Sequence, residues 1–407
     1  MSLTLPLLFA YISGAAIILT VIRYFMEKPL SLFISLVQNF IGIFFIFSGF
    51  VKAVDPLGTA YKIEEYFVEF RLTFLEPYAL AFSVITIVME AVLGIMLLLG
   101  YQKNITAWLL LLLILFFTFL TGFSSITGKV TDCGCFGDFL KITPVQSFSK
   151  DIFLSLLILI LFVRRKYLEE APGIFSAVIT VASIAGFTLF CFRNFAWNEP
   201  LFDFRPYKVG NYLPDLVREI PDKVEYAWVY KNKATGEVKE FANAEFMKVS
   251  NEPGFKEKYE FVDRKVAKVL QKGVPAKITS FQIINEHGDD IFEDVINNPD
   301  YQFIVVAYDL DKSCAEGFRE KINPLAEACD KAGITFFALT SSSPEKREAF
   351  RHENQTPFPF YEADSTPLKT ILRSNPGVIL LKDGKVIGKW HHDHLPSFEE
   401  LKRDYLK

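Results

Sequence analysis

Residues 106–163 read TAWLLLLLILFFTFLTGFSSITGKVTDCGCFGDFLKITPVQSFSKDIFLSLLILILFV, and this stretch decides the fold class. Two apolar runs, near 106–127 and 149–163, flank a loop in which two cysteines stand one glycine apart. Crossing the hydrocarbon core of a bilayer takes about 20 helical residues. Four more runs of similar character lie near 4–22, 33–51, 77–99 and 172–191. All six are continuously apolar, whereas barrel strands alternate polar and apolar over about ten residues. The fold class is therefore an α-helical transmembrane bundle of about six helices, followed by an α/β soluble domain.

The composition agrees with that division. The chain has 407 residues, 51% of them hydrophobic and 22% charged, with a mean hydropathy of +0.26. Disorder, collagen and small disulfide scaffolds are excluded. Of the 43 Lys and Arg and the 47 Asp and Glu, only 12 of each precede residue 191. A net charge of −4 offers no basic stripe for nucleic acid, and no nucleic-acid partner is expected.

The first run lacks a preceding basic residue and is followed by Arg23 and Lys28, which reads as an uncleaved helix rather than a signal peptide. Arg23, Lys28, Lys103, Arg164, Arg165 and Lys166 fall in short loops on one side, which the positive-inside rule makes cytoplasmic. Loop 128–148 and everything after residue 191 then share the outer, disulfide-permissive side. One ionisable residue, Glu90, lies well inside a span, and such a residue is either functional or a neutral packing group. Lys52 stands at the outer end of its helix, about 20 Å from Glu90 in depth, so a direct pair is not expected.

Thr131-Asp132-Cys133-Gly134-Cys135-Phe136-Gly137-Asp138 carries the chemistry of the membrane half. A disulfide between Cys133 and Cys135 would close a small, strained and oxidising ring, and the two glycines permit the backbone it needs. A structural disulfide and a metal site are the alternatives; no His or third Cys is close in sequence, and no metal is assigned. Cys191, at the end of the sixth run, is a candidate resolving thiol or a small packing residue.

Residues Ile43 to Pro56, Met89-Glu90-Ala91 with Gly94, and Cys133-Gly134-Cys135-Phe136-Gly137 together resemble the MauE/DoxX membrane proteins over about 33–165. The resemblance implies a four-helix core at 31–165 and an accessory role in redox biology. MauE proteins assist maturation of the disulfide-rich methylamine dehydrogenase, and DoxX proteins are associated with thiosulfate:quinone oxidoreduction. This chain departs from the minimal family in its additional helices, 1–30 and 166–195, and in its large outer region.

Beyond residue 196 a β-rich connecting region extends to 274, with a hairpin over 224–242 around Ala234-Thr235-Gly236. From 275 to 407 strands are expected at Ile278–Ile284, Phe303–Tyr308, Ile334–Leu339, Val378–Lys382 and Lys385–Trp390, with helices at 291–298, 314–331, 344–353 and 397–404. This order resembles a thioredoxin-like domain, with Asn375-Pro376 where that fold places its cis-proline. Where that family has Cys-x-x-Cys, this chain has Asp309-Leu310-Asp311-Lys312-Ser313-Cys314, leaving one thiol at a helix start, where the dipole favours thiolate. Cys329 is expected in the core. His391, His392 and His394 surround Asp393 in a tetrapeptide that reads as a surface cluster in preference to a metal site.

Together these readings describe an inner-membrane protein supporting thiol-disulfide exchange or disulfide maturation of exported proteins, its C-terminal domain periplasmic. Cys133, Cys135, Cys191 and Cys314 are the candidate redox residues, Glu90 marks a candidate quinone site by analogy, and an exported client or redox partner is implied. A non-catalytic assembly scaffold and a subunit of a thiosulfate:quinone oxidoreductase are the rivals.

Overall fold

The computed structural model describes residues 4–26, 31–130, 134–168, 173–196, 199–279 and 281–406. Cys133 lies outside the described residues. Among them are six helices long and apolar enough to span a bilayer, and the chain is a multi-pass membrane protein. The membrane half comprises α1 (Leu5–Met26), α2 (Leu32–Val54), α3 (Pro56–Glu69), α4 (Ala79–Leu99), α5 (Lys103–Thr127), α6 (Pro144–Val163) and α7 (Ile174–Ala196). Of these, α3 is a short helix that lies outside the spans, started by Pro56 and by the Asp55 carboxylate, which accepts from the Gly58 N–H.

Helices α2 and α4 are joined by a small-residue seam. A Cβ placed on Gly49 would stand 2.8 Å from the Ala91 Cβ, and one on Gly94 would stand 2.7 Å from the Gly42 carbonyl oxygen. This seam sets the register, and the register overturns the depth argument made for Lys52. The end of α2 is level with the middle of α4, as Ala53 packing on Ile87 shows. The first two turns of α4 therefore extend past α2 by about 12 Å, against α3. Aligning the outer ends of the two spans misplaces Glu90, whose Oε2 in fact lies 2.6 Å from Lys52 Nζ.

The outer region holds two sheets. Strands β1 (Lys223–Asn232), β2 (Val238–Ala242) and β3 (Tyr259–Gln271) form an antiparallel sheet in the order β2-β1-β3. The expected hairpin is β1 and β2. The second sheet, order β6-β5-β4-β7-β8, contains β4 (Tyr301–Val306), β5 (Thr335–Thr340), β6 (Phe360–Glu362), β7 (Gly377–Lys382) and β8 (Lys385–His391). Strands β4, β5 and β6 are parallel, β7 pairs antiparallel with β4, and β8 pairs antiparallel with β7. Phe303 and Val305 enter one core while Ile304 and Val306 enter the other, so helices and loops cover both faces.

The helices here are α8 (residues 315–331), α9 (Pro344–Asn354), α10 (Ser365–Ile371) and α11 (Phe398–Asp404). Phe318–Ile322 of α8 is a π-turn immediately before Pro324, whose missing N–H removes one ordinary helical bond. The strand expected at Ile278–Ile284 is not one. Only Ile284 bridges, to Asp290 and Glu362, because Lys277 and Ile278 turn their N–H groups to the Leu216 carbonyl while Ile278, Phe281 and Ile283 fill the core. The peptide bond between Asn375 and Pro376 is cis.

The connecting segment is fastened before it reaches these sheets. Arg205 is buried, 2.5 Å from Glu199 and 2.7 Å from Asp203, and Lys389 of β8 reaches Asp203 at 2.9 Å. Burial alone would raise the Asp203 carboxyl, but Arg205 and Lys389 hold it well below the usual carboxylate range.

Candidate functional site: a charged joint over the cysteine loop

The loop between α5 and α6 is pinned from several sides. Gly134 and Gly137 both have left-handed backbone, at φ 63° and 52°, and the Gly137 N–H donates to the Gly134 carbonyl at 3.1 Å. Ser48 of α2 donates to the Cys135 carbonyl at 3.2 Å, and Phe136 is fully buried with its ring 5.8 Å from that of Phe44. The segment thus enters the bundle as a tight turn with an aromatic plug.

Beneath it lies a cavity of about 350 Å³ between α3, α4 and α5. Phe67, Phe70 and Phe117 give it apolar walls, while Lys52, Glu90, Lys150 and Cys135 supply its polar ones. Lys52 Nζ also stands 4.8 Å from the Phe117 ring centre. Lys150 pairs with Asp151, which accepts from Thr121 at 3.0 Å, and its ammonium lies 5.6 Å from the Phe136 ring centre. Two buried cations and two buried carboxylates therefore surround the base of the loop, each with an opposite partner. Lys150 and Asp151 lie near the start of the fifth apolar run; adjacent charges in the first turns of a span were the available signal, and the hydropathy of the run masked it.

Above the loop, the α/β region docks through one arginine. Arg373 makes a forked contact with Asp55, Nε at 3.0 Å and Nη2 at 2.6 Å from Oδ2, and its Nη2 also reaches Asp138 at 3.0 Å. Desolvation would raise the Asp55 carboxyl, but the Arg373 guanidinium overcomes it and holds the group below its usual value. Around this contact the Tyr61 and Tyr308 hydroxyls meet at 3.1 Å, Lys369 Nζ lies 4.4 Å from the Tyr61 ring centre, and Phe139 packs edge-on against Phe204 at 5.0 Å. Sequence alone carried no signal for Arg373, whose partner Asp55 is 318 residues away.

The joint ties the cysteine loop to the segment that hydrogen-bonds Cys314. Asp138 is three residues after Cys135; Arg373 is two residues before Asn375, whose carbonyl accepts from the Cys314 N–H at 3.2 Å. Cys314 is partly exposed and caps the start of α8. The other two described cysteines are elsewhere. Cys191 is fully buried against Ala53 and Ile87 and does not line the cavity. Cys329 is fully buried in the α/β core, where burial pushes its thiol up to about 12. Glu90 lies on the cavity wall, paired with Lys52.

The histidine tetrapeptide is not the surface cluster that its sequence implies. His391 and His392 are buried, at 6% and 8% exposure, while Asp393 stays exposed. The reason is the β7/β8 register, which sets His391 opposite Gly377 and turns the following residues back over the start of α8.

Comparison with known proteins fits the membrane architecture. Residues 30–164 match the family of methylamine utilisation protein MauE. The membrane half carries a MauE-like domain. That domain spans α2 to α6 and contains the loop, the cavity and both buried ion pairs. Protein TlpB of Flavobacterium psychrophilum is 31% identical over 169 residues, which cover 39% of this chain and 45% of that protein. The chain therefore spans less than half the length of this curated relative. No solved structure matches.

Proposed function

We propose that the protein is an inner-membrane thiol-disulfide exchanger, in which a thioredoxin-like outer domain carries oxidising equivalents from the Cys133/Cys135 loop of the MauE-like domain to exported proteins. The observation that carries this reading is the Arg373 joint, because it fastens the segment that hydrogen-bonds Cys314 to Asp138, three residues after Cys135. The outer side is periplasmic in this reading, in keeping with the density of basic residues in the opposite loops.

One thiol in the outer domain suffices for a relay. The Cys314 thiolate attacks a Cys133–Cys135 disulfide, forming a mixed disulfide and releasing one loop thiolate. A client thiolate then attacks the Cys314 sulfur, freeing the second loop thiolate, and the client's other thiolate displaces Cys314. The client gains a disulfide, and the two protons its thiols release are taken up by the two loop thiolates, so the loop becomes a dithiol. The apolar cavity below Cys135 fits a flat aromatic acceptor with polar oxygens, since phenyl rings line it and Lys52 and Lys150 face it. A quinone bound there would supply the two-electron acceptor that returns the loop to its oxidised form. Cys191 has no part in this route, as a thiol with no exposed surface cannot attack.

A second reading rests on the single thiol of the outer domain: the loop is structural and the domain only binds a client during maturation. The test is the redox state of each cysteine in intact cells, read with a membrane-impermeant thiol-alkylating mass tag before and after reduction. Exchange predicts that Cys133 and Cys135 label only after reduction, and that Cys314 forms a trapped mixed disulfide when Cys133 or Cys135 alone is changed to Ser. A loop that stays paired and traps nothing leaves the scaffold reading. Labelling that requires opened membranes inverts the topology and removes the proposal.

A further inference from the structure

The buried histidines beside Cys314 are not used by the exchange route, and their hydrogen bonds define which nitrogens carry protons. His392 Nδ1 lies 3.0 Å from the Pro376 carbonyl, which can only accept, so Nδ1 bears the proton and Nε2 the lone pair. His391 Nδ1 receives the Asp393 N–H at 3.1 Å, so that nitrogen too is an acceptor. Both of these nitrogens face the Asp393 carboxylate: His391 Nδ1 is 3.4 Å from Oδ2, and His392 Nε2 is 3.3 Å from Oδ1. The two rings stack with centres 4.1 Å apart. Three electron-rich acceptors therefore converge, with their ligand atoms all within 4.8 Å of one another. Such a corner suits a cation.

We propose that His391, His392 and Asp393 hold a late first-row divalent transition-metal ion, of the zinc, cobalt and nickel class. Two imidazole nitrogens and a carboxylate are the donor set that suits these ions. Bonds of about 2.0–2.2 Å put neighbouring donors of a tetrahedral ion about 3.3–3.5 Å apart; each imidazole is already that close to one Asp393 oxygen, and the three donor atoms, spread within 4.8 Å, draw together on binding. The Pro376 carbonyl supplies the outer hydrogen bond that fixes a ligating imidazole. Coordination at His391 Nδ1 takes the place of its contact with the Asp393 N–H. The His394 ring, 6.0 Å from that of His391, and the Glu199 carboxylate are the other ionisable groups that bear on the site. The ion would sit close to the redox edge: His392 packs so tightly on Gly317, three residues after Cys314, that a Cβ there would stand 2.5 Å from its ring.

The test uses the full-length protein in detergent, stripped with chelator and titrated with Co²⁺, followed by Zn²⁺ competition. One Co²⁺ per chain is expected, with visible d–d absorption and no thiolate-to-cobalt charge-transfer band. Asp393→Asn, on an exposed side chain that leaves the core intact, should weaken binding at least tenfold, and His392→Gln about a hundredfold. Cys314→Ser should leave it unchanged. Equal affinity in Asp393→Asn and wild type, or a thiolate band lost in Cys314→Ser, overturns the proposal. So does absence of saturable binding.

Discussion

Lys52–Glu90 and Arg373–Asp55 have the same closest approach, 2.6 Å, and both pairs are shielded from water, yet their surroundings give them different consequences. The first lies between spans, on a cavity wall, and neither partner can reach water without unfolding the bundle. The second lies in a joint between two bodies that can part. Breaking a buried pair is costly because the remaining charge is stranded. The difference between the two sites is whether the stranded charge has an escape.

The largest effect should follow from Lys52→Met, which strips the Glu90 carboxylate of its direct partner in a largely apolar cavity. A loss of about 3–5 kcal/mol is expected, measured by thermal unfolding in detergent. The double change Lys52→Met with Glu90→Leu should recover most of it while abolishing exchange. If the single variant is no less stable than the double, the pair is not a buried ion pair in the membrane.

Arg373→Met should cost less, about 2–3 kcal/mol, and should cost it in docking. Asp55 and Asp138 then regain water as the outer domain lifts away. Hydrogen exchange should rise in 55–69 and 365–376 while the melting of the spans stays unchanged; a shift in both would erase the distinction between the two pairs. Gly58→Ala tests the same joint without touching a charge. Its Cβ would stand 2.6 Å from Asp55 Oδ2 and 2.8 Å from Arg373 Nη2, and a partial undocking worth about 1–3 kcal/mol is expected by the same exchange measurement.

Acidification should separate the joint from the α/β core with the smallest effect. Asp55 is held below its usual value, so its contribution is complete above about pH 4 and fades only as pH falls further. His391 is depressed to about 4, so its neutral form contributes fully above about pH 6.5 and progressively less as pH falls toward 4. With chelator present, near-UV circular dichroism of the α/β domain should therefore soften between pH 6.5 and 4 while the joint stays closed. Simultaneous loss of both signals would contradict this order.

The spans were legible because twenty apolar residues can do little else, and the cysteine loop was legible because glycines bracket its thiols. What hydropathy does not encode is stagger. The Lys52–Glu90 pair depends on Gly49 meeting Ala91, a contact that no window average reports. Arg373 was invisible for a related reason: a charged residue near the end of a short helix is ordinary until the fold brings Asp55 to it. Strand β3 escaped notice because it is mostly exposed and its pairing with β1 shifts register three times, so no alternation of apolar residues persists along it. The single-thiol outer site could be read directly, while the burial of His391 and His392 required the β7/β8 register.

The Arg205 cluster has a consequence for diffusion. Because Arg205 is clamped to Asp203, and Asp203 to Lys389 of β8, the free leash between the last span and the outer domain is only the stretch from 196 to 205. Fully extended, it reaches about 30 Å. An outer domain released from Arg373 therefore stays in the neighbourhood of the loop at an effective concentration on the order of millimolar. Release and re-docking thus become successive positions of one tethered body, with no search through free solution.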